Sequence, residues 1–187
     1  MGEFKIYCEF VKDLELDNLH RLYHDKYYGF PINDDNELFA RLIFEINQAG
    51  LSWTTILKKE NNFRKAFDNF DIKKVAKYNE RDKQRLLNDA GIIRNRSKIE
   101  ATIHNANVIL GMQKEFGSFK NWLDVNHPKT KEEWVGLFKK TFRFTGGEIV
   151  NEFMVSAGYL RGGHQESCPV YQEIINSSPA WLVRPNK

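Results

Sequence analysis

Cysteine is scarce: only Cys8 and Cys168 occur in 187 residues, near opposite ends of the chain. Two cysteines cannot build a disulfide framework, which excludes the small secreted scaffolds held by several bridges. Proline and glycine are also few, at 5 and 12, so collagen-like and linker-like chains are excluded. No apolar run approaches the roughly 18 residues that a membrane-spanning helix needs, and mean hydropathy is −0.57. Met1-Gly2-Glu3-Phe4-Lys5 has no basic start leading into an apolar stretch. No secretory signal is expected, and the expected compartment is the cytoplasm, where thiols stay reduced. Charge of one sign is not dominant either. A net charge of +3 permits an anionic partner without demanding one. Aromatic residues, in contrast, make up 13%, with 14 phenylalanines. That is too much apolar bulk for a disordered chain.

The periodicity is helical throughout. Leu38, Phe39, Leu42, Ile43 and Ile46 fall on one face of a helix over 35–49, with Asp34 or Asp35 as its cap. Further helices are expected over 52–67, after Asp71, from Asn79 to about 89, from Ser97 through Leu110, over 118–124 and 131–140, and over 148–157 before Gly158. Only Phe142-Arg143-Phe144 offers a strand pattern. The expected fold is all-α, a single compact helical domain over residues 1–187 with eight or so helices. The tail 174–187, with Ser177-Ser178-Pro179, is expected to lie loosely on the surface.

Three features carry chemistry. Glu45 shares a helix face with Leu38 and Leu42. A buried carboxylate needs a partner, or neutrality, or a pocket. It is either hydrogen-bonded to a neighbouring helix end or a pocket carboxylate with Trp53 as a wall. In the second feature, Leu87 to Ile99, one amphipathic helix ends, Gly91 turns the chain, and another helix begins. Arg94, Arg96 and Lys98 meet no anion between Gly91 and Lys98. Free amides there suit a phosphate, and the alternative is an ordinary αα-hairpin with a solvated basic turn. Third, His164 and Cys168 have a spacing that could place both on one metal ion, and Cys8 and His24 could complete a tetrahedral zinc site. Buried cysteines and surface histidines are the alternative. Phosphate-loop, dinucleotide and serine-hydrolase motifs are absent, so no nucleotide cofactor is expected.

Together these residues resemble one family, the DNA-3-methyladenine glycosylases of type I. The resemblance covers roughly residues 6–170. It is carried by Tyr23-His24-Asp25, by Glu45 with Gln48-Ala49-Gly50-Leu51-Ser52-Trp53, by Ala90-Gly91-Ile92-Ile93-Arg94-Asn95-Arg96, and by Phe142-Arg143-Phe144 with Gly146. It implies a helix–hairpin–helix near 80–110 and a structural zinc on Cys8, His24, His164 and Cys168 that ties the termini together. It implies Glu45 as the catalytic, base-reading carboxylate, with Tyr23, Trp53, Tyr28 and Phe10 around the base. Gly91, Arg94 and Arg96 are implied as contacts to the DNA backbone.

The implied activity is monofunctional hydrolysis of the N-glycosidic bond of N3-methyladenine in double-stranded alkylated DNA, by base flipping. A non-catalytic damage-binding module, or a glycosylase for another alkylated base, is the alternative. Lys98 near the hairpin offers no specific support for a lyase. The expected oligomeric state is a monomer. The chain departs from the family pattern at Phe10, His20, Tyr28 and Asn47, which puts the width of the pocket in question. The segment between Trp122 and Phe142 is shorter than usual in the family.

Overall fold

Residue by residue, the caps that punctuate the sequence are the ones that start its helices. The structure, a computed structural model, describes residues 7–182. Its helices are α1 (Tyr7–Val11), α2 (Leu19–Lys26), α3 (Asp35–Gln48), α4 (Trp53–Ala66), α5 (Ile72–Val75), α6 (Glu80–Asn88), α7 (Arg96–Phe116), α8 (Phe119–Asn126), α9 (Lys131–Thr141), α10 (Gly147–Ser156) and α11 (Tyr171–Asn176). Short 3₁₀ turns occupy Asp68–Phe70 and Ala180–Leu182. The side chains of Asp34, Ser52, Asp71 and Asn95 accept from the amides of Glu37, Thr55, Lys74 and Lys98. Each such cap is worth about 1 kcal/mol.

Helix α3 is the axis of the molecule. Every residue from Leu38 to Asn47 is buried, and α4, α7, α8 and α10 pack around it. The main core joins Phe39, Phe44, Phe63, Phe67 and Phe70 with Phe119, Phe138 and Phe153. Helix α3 stops at Gly50, whose φ of +81° favours glycine. Its last turn is then held from outside: Lys98 Nζ donates to the carbonyls of Asn47 and Ala49 at 2.9 and 2.8 Å. These are the carbonyls that a helix end leaves unpaired.

Three features differ from the sequence-based expectation. The N-terminal segment forms α1 and α2, which short polar-rich periods did not reveal. Phe142-Arg143-Phe144 is not a strand; Asn105 clamps the backbone of Arg143 in both directions, and Phe144 turns the chain at φ +62°. The tail is not loose as far as it is described. Ile174 of α11 is buried, Trp181 packs on a small second core with Cys8, Cys168 and Val170, and the Trp181 amide donates to the Gly158 carbonyl. Residues 183–187 and the Met1–Lys5 stretch lie outside the described residues.

Candidate active site

Helices α1, α2, α3 and α10 and the start of α4 border a cavity of about 230 Å³, lined by Tyr7, Tyr23, Tyr28, Glu45, Gln48, Trp53 and Glu152. Tyr23 and Trp53 meet at 5.0 Å between ring centroids, and Tyr7 meets Tyr28 edge-on at 5.4 Å. Burial holds the hydroxyls of Tyr7, Tyr23 and Tyr28 well above the ordinary tyrosine range, so all three stay neutral. Glu45 is 4% exposed and makes no hydrogen bond or ion pair with any described residue. Burial, and then the charge of Glu152, push its carboxyl up to about 8, against a smaller opposing pull from Arg41. Trp53 Nε1 is likewise buried, with the Tyr7 hydroxyl beside it. A buried acid without a partner, at the wall of an aromatic cavity, marks a binding site.

The pocket walls are braced from behind. Arg41, itself buried, lies 5.2 Å over the Tyr23 ring and donates to the Tyr23 hydroxyl and to the carbonyl of Tyr27. His20 bridges the Tyr7 hydroxyl and Thr54 Oγ1 at 3.1 and 2.8 Å.

A second constellation lies alongside. Cys8, His24, His164 and Cys168 place their four ligand atoms within 4.8 Å of one another. Cys8 Sγ is 3.3 Å from His24 Nε2 and 3.9 Å from His164 Nδ1, and Cys168 Sγ is 3.5 Å from His164 Nδ1. The outer nitrogens are engaged: His24 Nδ1 with Asp25 at 2.6 Å, and His164 Nε2 with the Tyr28 carbonyl at 2.8 Å. Each outer hydrogen bond fixes a tautomer whose lone pair faces the thiols, the arrangement that metal-bound histidines show. Burial holds both imidazoles below their ordinary value, in the neutral ligand form. Burial pushes the Cys8 thiol up to about 11, so a cation is what would make it a thiolate. Gly29, at φ +83°, carries the chain past His164, and a Cβ there would sit 3.3 Å from its ring.

The turn between α6 and α7 presents Arg94, Asn95, Arg96 and Ser97 to solvent. Arg96 lies 3.4 Å from Glu80 and 3.8 Å from Glu100. The Gly91 amide is already bonded to Asp89 Oδ1 at 2.7 Å, and Lys59 Nζ holds the carbonyls of Ala90 and Gly91. The amides of Ile93, Arg94, Arg96 and Ser97 meet no acceptor among the described residues.

A methyladenine glycosylase family profile matches residues 13–136. The chain belongs to the methyladenine glycosylase family. DNA-3-methyladenine glycosylase 1 of Escherichia coli is 38% identical over 174 residues, covering 83% of this chain and 92% of that protein. The DNA-3-methyladenine glycosylase of Haemophilus influenzae is 38% identical over 166 residues, covering 79% and 89%. A crystal structure of a tyrosine-to-phenylalanine variant of 3-methyladenine DNA glycosylase I in complex with 3-methyladenine superposes with a TM-score of 0.78 at 30% identity, over 89% of this chain and 97% of that one.

Within this methyladenine glycosylase, Glu45, Tyr23, Tyr28 and Trp53 share one cavity. Phe10 does not line it. It is 46% exposed and stacks on the outer face of Tyr7. Asn47 points away from the cavity, to the Ile43 carbonyl, and His20 lies one layer behind Tyr7. Of the four departures, only Tyr28 touches the cavity. Tyr7 and Glu152 also line it, and the sequence pattern pointed to neither. Tyr7 sits beside Cys8 and could have been found from that position. Glu152 gave no signal, because a polar residue on an amphipathic helix reads as a solvated face. Lys98 is not a free cation of the hairpin turn; it is buried under the end of α3.

Proposed function

We propose that this DNA repair glycosylase receives a flipped N3-methyladenine in the Tyr23–Tyr28–Trp53 pocket and reads it with Glu45. The observation that carries the reading is Glu45 itself, a buried carboxyl without a partner at the wall of an aromatic cavity. The enzyme is a hydrolase of N-glycosyl bonds. Flipping a base costs a few kcal/mol, and the aromatic walls and the Glu45 hydrogen bond offset that cost. The methylated base is cationic in DNA. When its bond to C1′ breaks, N9 keeps the electron pair and the base leaves neutral. The positive charge passes to the sugar, and water adds at C1′ with loss of a proton. A cationic base beside Glu45 favours its ionised form, and the carboxylate in turn favours the cationic lesion over neutral adenine, a preference that low local dielectric strengthens. Glu45→Gln keeps the shape and removes the charge.

The exposed turn between α6 and α7 acts as a helix–hairpin–helix that holds the DNA backbone, with the free amides of Ile93, Arg94, Arg96 and Ser97 and the Arg94 and Arg96 side chains meeting phosphate. Gly91 serves the turn rather than the phosphate. Cys8, His24, His164 and Cys168 hold a structural zinc: two thiols and two imidazoles at these separations fit a closed tetrahedral site. Such a site supplies cross-linking and no open position for water. Reduced thiols suit the cytoplasm, and one chain supplies pocket, hairpin and cluster, as a monomer would.

Single-turnover excision from a duplex carrying one N3-methyladenine, followed by chromatography of the free base, tests the reading. A lost charge-assisted hydrogen bond is worth roughly 1.5–3 kcal/mol, so Glu45→Gln should slow excision about ten- to a hundredfold. Excision at the wild-type rate would make Glu45 a structural carboxyl. DNA binding without any released base from the wild-type protein would make the chain a damage-binding module.

A further inference from the structure

We propose that Glu152 is a second recognition carboxylate, which makes the pocket select its purine by positive charge. This rests on the lesion-pocket reading of the Glu45 cavity. Glu152 comes from α10, an element distant in sequence from the Gln48–Trp53 turn, yet it lines the same cavity as Glu45, Tyr23 and Trp53. Its two oxygens are oriented. The Tyr28 hydroxyl donates to Oε2 at 3.1 Å and the Asn151 side-chain amide donates to Oε1 at 3.1 Å. Hydrogen bonds to both oxygens of a carboxylate fix its direction.

The charge distribution of the molecule makes this placement informative. The chain carries 28 basic and 25 acidic residues, a net charge of +3. The lining of this cavity runs the other way, with two acids and no basic side chain. The nearby cation, Arg41, is behind Tyr23, where it braces the ring. A pocket with this lining repels phosphate, and its acids add nothing electrostatic for a neutral base beyond the stacking any base receives. It attracts a cationic purine between aromatic faces, where the ring quadrupoles add to the carboxylates. Glu152 and Glu45 divide the task. Glu45 lies deep and unpartnered, available to the base edge, whereas Glu152 is half-buried and tethered through Tyr28. The class of ligand is a purine whose ring carries a positive charge.

The test compares two probes of the same shape, 3,9-dimethyladeninium, which is cationic at neutral pH, and its neutral 3-deaza isostere. Their affinities are measured by calorimetry on the metal-replete wild-type protein and on Glu152→Gln, Tyr28→Phe and Glu45→Gln. Glu152→Gln should weaken the cation about tenfold and the neutral isostere less than twofold. Tyr28→Phe removes the tether and keeps the charge, so it should retain most of the cation preference. Equal weakening of both probes by Glu152→Gln overturns the proposal, since Glu152 would then only shape the pocket. Equivalent loss of preference in Tyr28→Phe also overturns it, because Glu152 would then act through Tyr28. If Glu152→Gln changes nothing while Glu45→Gln weakens both probes, the proposal fails and the pocket reading stands. If neither variant changes binding, the pocket reading fails with it.

Discussion

Glu45 is held at the wall of its pocket at the expense of the fold. Its carboxyl is pushed up to about 8 in the folded protein by burial and by Glu152, while an unfolded chain leaves it near the ordinary glutamate value of about 4.3. Between those two values the folded protein binds the extra proton, so stability falls as pH rises through that window and levels off above it. Glutamine resembles the neutral acid. Glu45→Gln should therefore leave the melting temperature nearly unchanged at about pH 5 and raise it at about pH 8.5, while excision falls more at about pH 8.5 than at about pH 5. A scan of melting temperature against pH for the two proteins checks this; parallel curves would show that Glu45 ionises in the folded state as freely as in the unfolded one. Trp53→Ala removes a stacking wall worth ~1–3 kcal/mol per base, and single-turnover excision should fall by about ten- to a hundredfold. At this scale the sequence was readable where a polar residue broke an apolar pattern. Glu45 stood out between Leu42 and Ile46 for that reason. Glu152, flanked by Asn151, broke nothing, and Tyr7 reads as an ordinary aromatic until α1 is seen folding against α2.

At the scale of elements, the contact to notice is between α7 and the end of α3. Lys98, in the first turn of α7, donates to two carbonyls at the end of α3, and its ammonium lies 5.7 Å from the Phe144 ring. Burial holds its amine below the ordinary lysine value. Both of its partners are main-chain carbonyls of a helix end, a setting that stabilises a cation. Lys98→Met keeps the apolar stem and removes the ammonium. Two buried carbonyls then lose a charged donor, with a cost of roughly 1.5–3 kcal/mol per bond. The variant should melt earlier and excise more slowly, and urea titration with single-turnover assays on the folded fraction separates the two effects. Borohydride treatment of the wild-type protein on abasic DNA should trap no covalent adduct, since this lysine is committed to the carbonyls.

Arg94→Ala should weaken duplex binding by a similar factor on every sequence and reduce the slope of log affinity against log salt by about 1. An unchanged slope would return the turn to a plain solvated hairpin. Substituting Gly91 is a poorer probe, because a Cβ there would lie 2.9 Å from Asp89 Oδ1 and 3.2 Å from Asn62 Cβ. Helices α3 to α10 were legible from capping residues and apolar spacing, although α7 runs to Phe116, past the end expected at Leu110. α1, α2 and α11 were not, because short helices take their stability from what they pack against.

Across the whole molecule, the Cys8–His24–His164–Cys168 cluster joins segments that are 156 positions apart in sequence. A cross-link over so long a loop removes much of the freedom of the unfolded chain. Chelation should lower the melting temperature and leave a folded helical core, since the large apolar cluster around α3 contains none of the four ligands. Circular dichroism before and after a strong chelator, with metal content measured alongside, checks this; an unchanged melting temperature in metal-free protein would remove the structural role. Cys168→Ala should behave like the chelated protein.

The same cluster bears on how the protein is made. Tyr7, Tyr23 and Tyr28 come from the first segments of the chain, and Glu152 from the tenth helix. The residues that pin the first segments, His164 and Cys168, come later still. The hairpin at 89–95 and the helices beside it are complete long before that. A ribosome paused between the two would hold a nascent chain whose α6–α7 turn is complete but whose cavity still lacks the residues that pin Tyr7 and Tyr28. The cavity is finished only when His164 and Cys168 have left the exit tunnel, so the order of synthesis separates the hairpin turn from the completed pocket.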